Sequence, residues 1–324
     1  MKTSPLPGRV LLLLLGFFSV AVRADDPAPL RDAITRGLGF LAREGDEWMN
    51  KKDCNSCHHL PELIWSHREA ERRGFEIDPA MLAEFIAWAD ERSRKAKKAD
   101  EMTAFMKLAM PDKPAPELAK LIVDGQQPDG SWKIGGQFAT MQRREVPEAT
   151  ENSARLFILA LATQDSAAAD AAREKAAALL AKSGPAKSIE TLVFRALYAR
   201  RFGSREEADA LRAEILAHQH EDGGWSWMIA EPQSDPLATG QVLYLLHQSP
   251  DASTAEATAR ARDWLLKAQR EDGGWPIDIT RISKIDRSAP AKAKSFKEAT
   301  DIYIYWGSAW ATLGLLHGVP VVAD

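Results

Sequence analysis

From residue 30 onward the apolar positions recur three or four residues apart, and strand-like alternation is scarce. Ala, Leu, Glu, Arg and Lys dominate, so composition and pattern both predict helix. Two kinds of helix alternate. Residues 156–161, 242–246 and 302–316 are apolar on nearly every side and are expected to be buried. Residues 255–267 carry Glu256, Arg260, Arg262, Asp263 and Lys267 and are expected to lie outside, with one face in water. The register predicts six helix pairs. Outer helices begin near Leu30, Ala80, Glu117, Ser166, Ser204 and Thr254. Inner helices begin near Leu60, Met102, Thr150, Ser188, Leu237 and Asp301.

Three of the breaks between outer and inner helices match. They are Gln126-Gln127-Pro128-Asp129-Gly130-Ser131-Trp132, Gln219-His220-Glu221-Asp222-Gly223-Gly224-Trp225 and Gln269-Arg270-Glu271-Asp272-Gly273-Gly274-Trp275. The last two tryptophans are 50 residues apart and the first two are 93 apart, close to a double period. A fixed period of this size signals units that bury their apolar faces only by stacking. Glycine permits the left-handed backbone that ends a helix, tryptophan offers a large apolar plate, and glutamine can satisfy backbone groups at a helix end. The unit at 166–203 keeps only Ser183-Gly184-Pro185, and the second unit is also degenerate. In the first unit, Glu44-Gly45-Asp46-Glu47-Trp48 is an echo of the loop.

These loops closely resemble the QW motif of terpenoid cyclases and protein prenyltransferases, over residues 30 to 318. The resemblance implies an all-α fold, an α/α toroid of about six helix hairpins with the inner helices around a central cavity. The chemistry that it implies is harder to find. Squalene-hopene cyclases protonate an alkene with an Asp-x-Asp-Asp motif, which this chain lacks. The nearest relic is Ser234-Asp235-Pro236. Asp235 is thus the acid if the chain is a cyclase, and a helix N-cap otherwise. Zinc-dependent prenyltransferases place an Asp, a Cys and a His on the metal, and this chain has no cysteine outside 54 and 57. Asp301 is expected at the start of an inner helix, as a cap or dipole partner.

The two cysteines stand in Cys54-Asn55-Ser56-Cys57-His58, the spacing of c-type haem attachment. On this reading Cys54 and Cys57 bind haem c covalently and His58 is the proximal iron ligand. Met110, followed by Pro111 as in small cytochromes c, is the distal ligand of first choice; Met102, Met106, His59 and His67 are others. Trp48, Trp65, Phe75, Phe85, Trp88 and Phe105 could shield a porphyrin or simply be core. Two further readings stay open: a zinc-type site completed by His59 or His67, and a local disulfide. The repeat register puts this motif in the first outer-to-inner connection. There it is expected at the cavity mouth, on the same side as Glu148, Glu151, Asp235 and Asp301.

Haem attachment requires export. Lys2 and Arg9 precede an apolar run at 10–22, and Val22-Arg23-Ala24 supplies small residues before a cut at Asp25. This reads as a signal peptide over 1–24, followed by one toroid domain over 25–324 and a periplasmic or otherwise exported location. The alternative division is a cytochrome c-like 25–125 with a partial toroid over 126–324. No later segment is long and apolar enough to span a bilayer. The net charge is −4, and −7 without Lys2, Arg9 and Arg23, which excludes nucleic acid as a partner. Three functions compete: a haem-bearing toroid for electron transfer or redox sensing, with a redox partner protein; a cyclase-type enzyme on an apolar polyprenoid; and a non-enzymatic binding toroid.

Overall fold

The computed structural model describes residues 27–52, 59–96, 99–113, 115–135, 144–163, 166–248, 250–278 and 290–322. Helices come in pairs. In chain order these are α1 (Pro27–Lys52) with α2 (Leu60–Glu71), α3 (Pro79–Ala96) with α4 (Glu101–Ala109), and α5 (Pro116–Asp124) with α6 (Val146–Leu161). They continue with α7 (Ala167–Leu180) and α8 (Ile189–Phe202), α9 (Arg205–Ala217) and α10 (Pro236–Gln248), and α11 (Ala255–Ala268) and α12 (Pro290–Leu316). The even-numbered helices form the inner ring. Each packs on the next, and α12 packs on both α10 and α2, so the ring closes as an all-α toroid. No strand occurs among the described residues.

Many helix starts are written in side chains. Asp100 accepts from Thr103 N (3.1 Å), Ser166 from Ala169 N (3.1 Å), Ser188 from Thr191 N (3.2 Å), Ser204 from Glu207 N (3.1 Å) and Asp235 from Ala238 N (2.8 Å). Each satisfies an amide that the helix itself leaves unpaired.

The three Gln-Gly-Trp loops bind outer helices together. Gly130, Gly223 and Gly273 have φ of 87°, 96° and 92°. In each loop the tryptophan Nε1 donates to a carbonyl of its own outer helix: Trp132 to Ile122, Trp225 to Ile215 and Trp275 to Leu265, at 2.7–2.8 Å. The glutamine Nε2 reaches forward to the next outer helix, from Gln126 to Ala172 O (2.8 Å), from Gln219 to Ala257 O (2.9 Å) and from Gln269 to Ala33 O (2.9 Å). Glutamine therefore joins units instead of merely finishing its own helix. The inner ring has a comparable tight spot between α10 and α12. A Cβ on Gly240 would lie 2.4 Å from the carbonyl carbon of Trp310, so only glycine admits this backbone approach.

Two expectations about ends are corrected. The first unit has no loop at residues 44–48, which lie inside α1. Gly45 serves close packing there: a Cβ would meet Leu63 Cδ1 at 2.5 Å. The last inner helix starts at Pro290, well before Asp301. Asp301 is consequently not a cap; it pairs with Lys297 one turn away at 2.8 Å on the exposed face.

Candidate functional site

The pairing forces all six inner helices to run the same way along the ring axis. Their N-terminal ends, which follow the Gln-Gly-Trp connections, converge at one end of the toroid. Oriented helix dipoles and free amides favour anions there. The sequence supplies them in the first turns: Glu62 on α2, Glu101 on α4, Glu148 on α6 and Glu190 on α8. All four are buried, with Glu62 and Glu190 at 0% exposure.

These side chains have distinct partners. Glu148 accepts from the amides of Lys187 (2.8 Å) and Ser188 (3.2 Å). Glu190 pairs with the fully buried guanidinium of Arg144. It also receives Asn152 Nδ2 at 3.4 Å and Gln241 Nε2 at 3.5 Å. Arg144 in turn lies over the rings of Trp227 (5.4 Å) and Trp306 (5.8 Å). Glu101 accepts from Ser153 Oγ (2.6 Å) and Gly135 N (3.1 Å), yet burial lifts its carboxyl to about 7. Among the described residues neither oxygen of Glu62 has a hydrogen-bond partner in another residue, and burial pushes this carboxyl to about 8. Both glutamates therefore hold a substantial share of protons at neutral pH.

A second layer follows one turn further along each inner helix. Glu62 precedes Trp65 by three positions and Gln241 precedes Tyr244 by three. Glu101 precedes Phe105, Asn152 precedes Leu156, Glu190 precedes Phe194 and Trp306 precedes Trp310, each by four. These spacings set the pairs on one helix face. The second-layer residues line a cavity of about 290 Å³, near the lower end of small-molecule sites. Four of its rings pack edge to face: Trp65 lies 5.5 Å from Tyr244 and 5.7 Å from Trp310, and Phe105 lies 6.4 Å from Trp310. Among the described residues the indole Nε1 of Trp310 has no hydrogen-bond partner.

The cavity opens at the C-terminal end of the inner ring, where Thr163, Arg200, Arg201 and Gln248 form its rim. Arg200 Nη1 donates to Gln248 Oε1 at 3.0 Å. Beyond it, His317 Nδ1 receives Gln248 Nε2 and Arg73 Nη2, both at 3.4 Å. Burial and the Arg73 charge depress this imidazole to about 3, so it stays neutral. The mouth is thus at the opposite end from the Gln-Gly-Trp connections, not beside them as the repeat register suggested.

Cys54, Cys57 and His58 lie outside the described residues. Their flanks, Lys52 at the end of α1 and His59 before α2, are at the loop end. His59 is buried, stacked on Trp48 (ring centroids 4.3 Å) and close to Tyr305 (3.9 Å), whose hydroxyl donates to His59 O at 3.1 Å. Met110 follows α4 at the mouth end. Arg68, late in α2, reaches Ala109 O beside it at 3.1 Å, so Met110 and the N-terminus of α2 are at opposite ends. Of the aromatics named beside the motif, Trp48 contacts the flanking His59. Trp65 and Phe105 line the cavity, and Phe75 and Phe85 are core. His67 is buried, held by Leu63 O at 2.9 Å, and depressed by burial to about 4. Among the described residues no three His, Cys, Asp or Glu side chains converge as metal ligands. Asp235 caps α10 and also accepts from Trp227 N. It borders a separate hollow of about 250 Å³ at the loop end.

Glu62, Glu101, Glu190 and Arg144 are the residues that sequence reading missed, whereas Glu148 was named at this end. The signal was present: an acid in the first turn of each of four inner helices, repeatedly three or four residues before an aromatic.

No protein-family model matches the chain. A curated relative, drimenyl diphosphate synthase of Streptomyces showdoensis, is 34% identical over 99 residues, covering 28% of this chain but only 18% of that protein. Among solved structures, the type II terpene cyclase MstE from Scytonema, bound to geranylgeranyl dihydroxybenzoate, aligns at a TM-score of 0.56 with 14% identity, covering 91% of this chain and 99% of that one. The unsaturated glucuronyl hydrolase of Bacillus sp. GL1 aligns at 0.55 with 15% identity, over 90% and 97% of the two chains. A glycosidase solved with glucose aligns at 0.52 with 11% identity, over 89% and 98%. These similarities establish a terpenoid cyclase-like α/α toroid, a fold shared with sugar hydrolases. Among the described residues no helix is long and apolar enough to cross a membrane.

Proposed function

We propose that the toroid is a cyclase-type enzyme that takes an apolar polyprenoid into its aromatic cavity. The observation that carries this reading is the stacking of two layers along the axis: Glu62 and Glu101 at the loop end, and Trp65, Phe105, Tyr244 and Trp310 one turn below. A general acid must hold its proton at working pH, and burial shifts both glutamates toward the protonated form, Glu62 further than Glu101. Aromatic faces stabilise a developing carbocation. Neither glutamate lines the cavity, so a ligand must press one turn deeper, about 5 Å, to meet them. The apolar rings favour a hydrocarbon over the sugars handled by the other proteins of this fold. Asp235 is engaged in capping, which leaves Glu62 as the preferred acid. The test is incubation of the purified chain with squalene and shorter polyprenoids, with products separated by mass. Cyclised product that disappears in Glu62→Gln is expected. No product, or product indifferent to both Glu62→Gln and Glu101→Gln, overturns the reading.

A second reading is favoured by the donor set at Cys54, Cys57 and His58: an exported toroid carrying haem c, in electron transfer or redox sensing. Two thiols and an adjacent imidazole fit the covalent attachment and proximal ligation of haem, which when bound supplies one-electron chemistry. Met110, at the far end of α4, is poorly placed as the distal ligand, and His59 is the nearer choice. Expression with a haem-attachment system followed by a haem stain tests this reading. A stain that persists after denaturation supports it, and its absence overturns it.

A further inference from the structure

The Gln-Gly-Trp tie that seals three pairs of outer helices is missing between α7 and α9. On α11 the acceptor of the incoming glutamine, Ala257, and the acceptor of the outgoing tryptophan, Leu265, are eight residues apart. The same interval, counted from Ala172 on α7, lands on Leu180; counted back from Ile215 on α9, it lands on Glu207. The connection after α7 offers neither glutamine nor tryptophan to these two positions. Its last residues turn to the following loop instead: Ile189 N donates to Trp227 O and Ile229 N to Lys187 O, both at 2.9 Å. A Cβ on Gly184 would meet nothing within 4 Å, whereas one on Gly130, Gly223 or Gly273 would lie 2.1–2.7 Å from a carbonyl oxygen. What remains is a cavity of about 520 Å³ between α7 and α9, bordered by Leu180, Glu207, Ala210 and Leu211. It stands where the sealed units hold an indole.

Arg155 of α6 and Arg195 of α8 also border this cavity. Both donate to the one carboxylate of Glu151, Arg195 through Nε at 2.6 Å and Nη2 at 3.0 Å. Arg155 is only 7% exposed, and among the described residues it donates only through Nη1; its Nε is buried with no hydrogen-bond partner. Ser183 Oγ, on the same cavity, is likewise buried without one. Buried donors left unpaired cost stability. Two guanidinia on one carboxylate leave a positive charge, and the Nε–Nη2 edge of a guanidinium matches two carboxylate oxygens. Glu207 and Glu214 on the α9 wall are exposed, so water and salt screen them, whereas Arg155 is dry.

We propose that this gap in the outer ring binds an aromatic carboxylate. The ring takes the slot that tryptophan fills in the sealed units, against Leu180, Leu211 and Tyr198, and the carboxylate takes the free edge of Arg155 and the hydroxyl of Ser183. The site lies outside the inner ring and does not depend on the cyclase-type reading.

The experiment is isothermal titration calorimetry on the full purified chain with indole-3-acetate, indole and acetate. Indole-3-acetate is expected to bind at least tenfold more tightly than either fragment, and its affinity should fall with added salt. Arg155→Lys keeps the charge but loses the fork, and should cost the acid at least tenfold and indole less than twofold. Ala210→Trp, at an exposed position of α9, fills the slot from the chain itself and should abolish binding of both while the thermal midpoint holds. Indole binding as tightly as the acid, or Arg155→Lys weakening both equally, overturns the carboxylate assignment. Binding that survives Ala210→Trp, or no binding of the acid to the native chain, overturns the site.

Discussion

Gln269 and Ala33 lie 236 positions apart in the chain and are joined by a hydrogen bond of 2.9 Å, from the glutamine Nε2 to the alanine carbonyl. The same nitrogen donates to Gly273 O at 3.0 Å, and the Oε1 accepts from Arg36 at 2.6 Å. One amide thus satisfies a loop carbonyl, a helix carbonyl and a guanidinium, and ties the last outer helix to the first.

Removing that amide should loosen the closure. Gln269→Leu keeps the volume but strands partly buried carbonyls on Ala33 and Gly273, a loss of about 1–3 kcal/mol. Gln126→Leu cuts the equivalent tie between neighbouring units and should cost a similar amount. Urea midpoints at constant slope are the measurement; a shift in neither variant would show that the ties are ornamental.

Gly273 has φ of 92°, and a Cβ there would meet Arg36 O at 2.1 Å. Gly273→Ala therefore combines left-handed strain with a backbone clash and should destabilise by more than about 2 kcal/mol. Gly184, in the unit that lost its Gly-Trp loop, has no atom within 4 Å of a Cβ and is not left-handed. Gly184→Ala should be neutral or stabilise by up to about 1 kcal/mol. Thermal unfolding of the two variants side by side checks the contrast.

The repeat was legible because its residues act locally. The Gln-to-Trp spacing fixes a turn that is the same wherever it occurs, so six helix pairs could be counted before any contact was known. The axial chemistry was not legible in the same way. Glu62 looks like an ordinary first-turn acid, and only closure of the ring turns it inward and dries it. The mouth was misplaced because loop position shows where the connections emerge and not where space remains. Among the described residues Arg144 and Glu190 are buried at the loop end, and the aromatic cavity opens at the opposite one.

Glu62 should make stability depend on pH in a definite direction. Its carboxyl lies near the ordinary 4.5 when unfolded and at about 8 when folded. The folded state therefore binds more protons between these values, and the contribution to stability falls as pH rises from about 4.5 to about 8. The loss is on the order of 4 kcal/mol. Glu62→Gln lacks this titration and should gain on the native chain as pH rises. Urea unfolding at pH 5 and pH 8 reads the difference, and a gap that does not grow with pH would sink the assignment.

Arg144 and Glu190 form an ion pair whose side chains are both inaccessible to solvent. Their desolvation is offset only while both are present. Arg144→Met leaves Glu190 with the long hydrogen bonds from Asn152 and Gln241, and should cost about 3–5 kcal/mol. Glu190→Gln leaves the guanidinium among Trp227 and Trp306 and should cost a comparable amount. The double variant removes both charges together, so its loss should be well below the sum of the single ones. A double-mutant cycle by chemical denaturation measures the coupling, expected at about 2 kcal/mol or more. Additive single losses would mean that the two charges are held by their other contacts and not by each other.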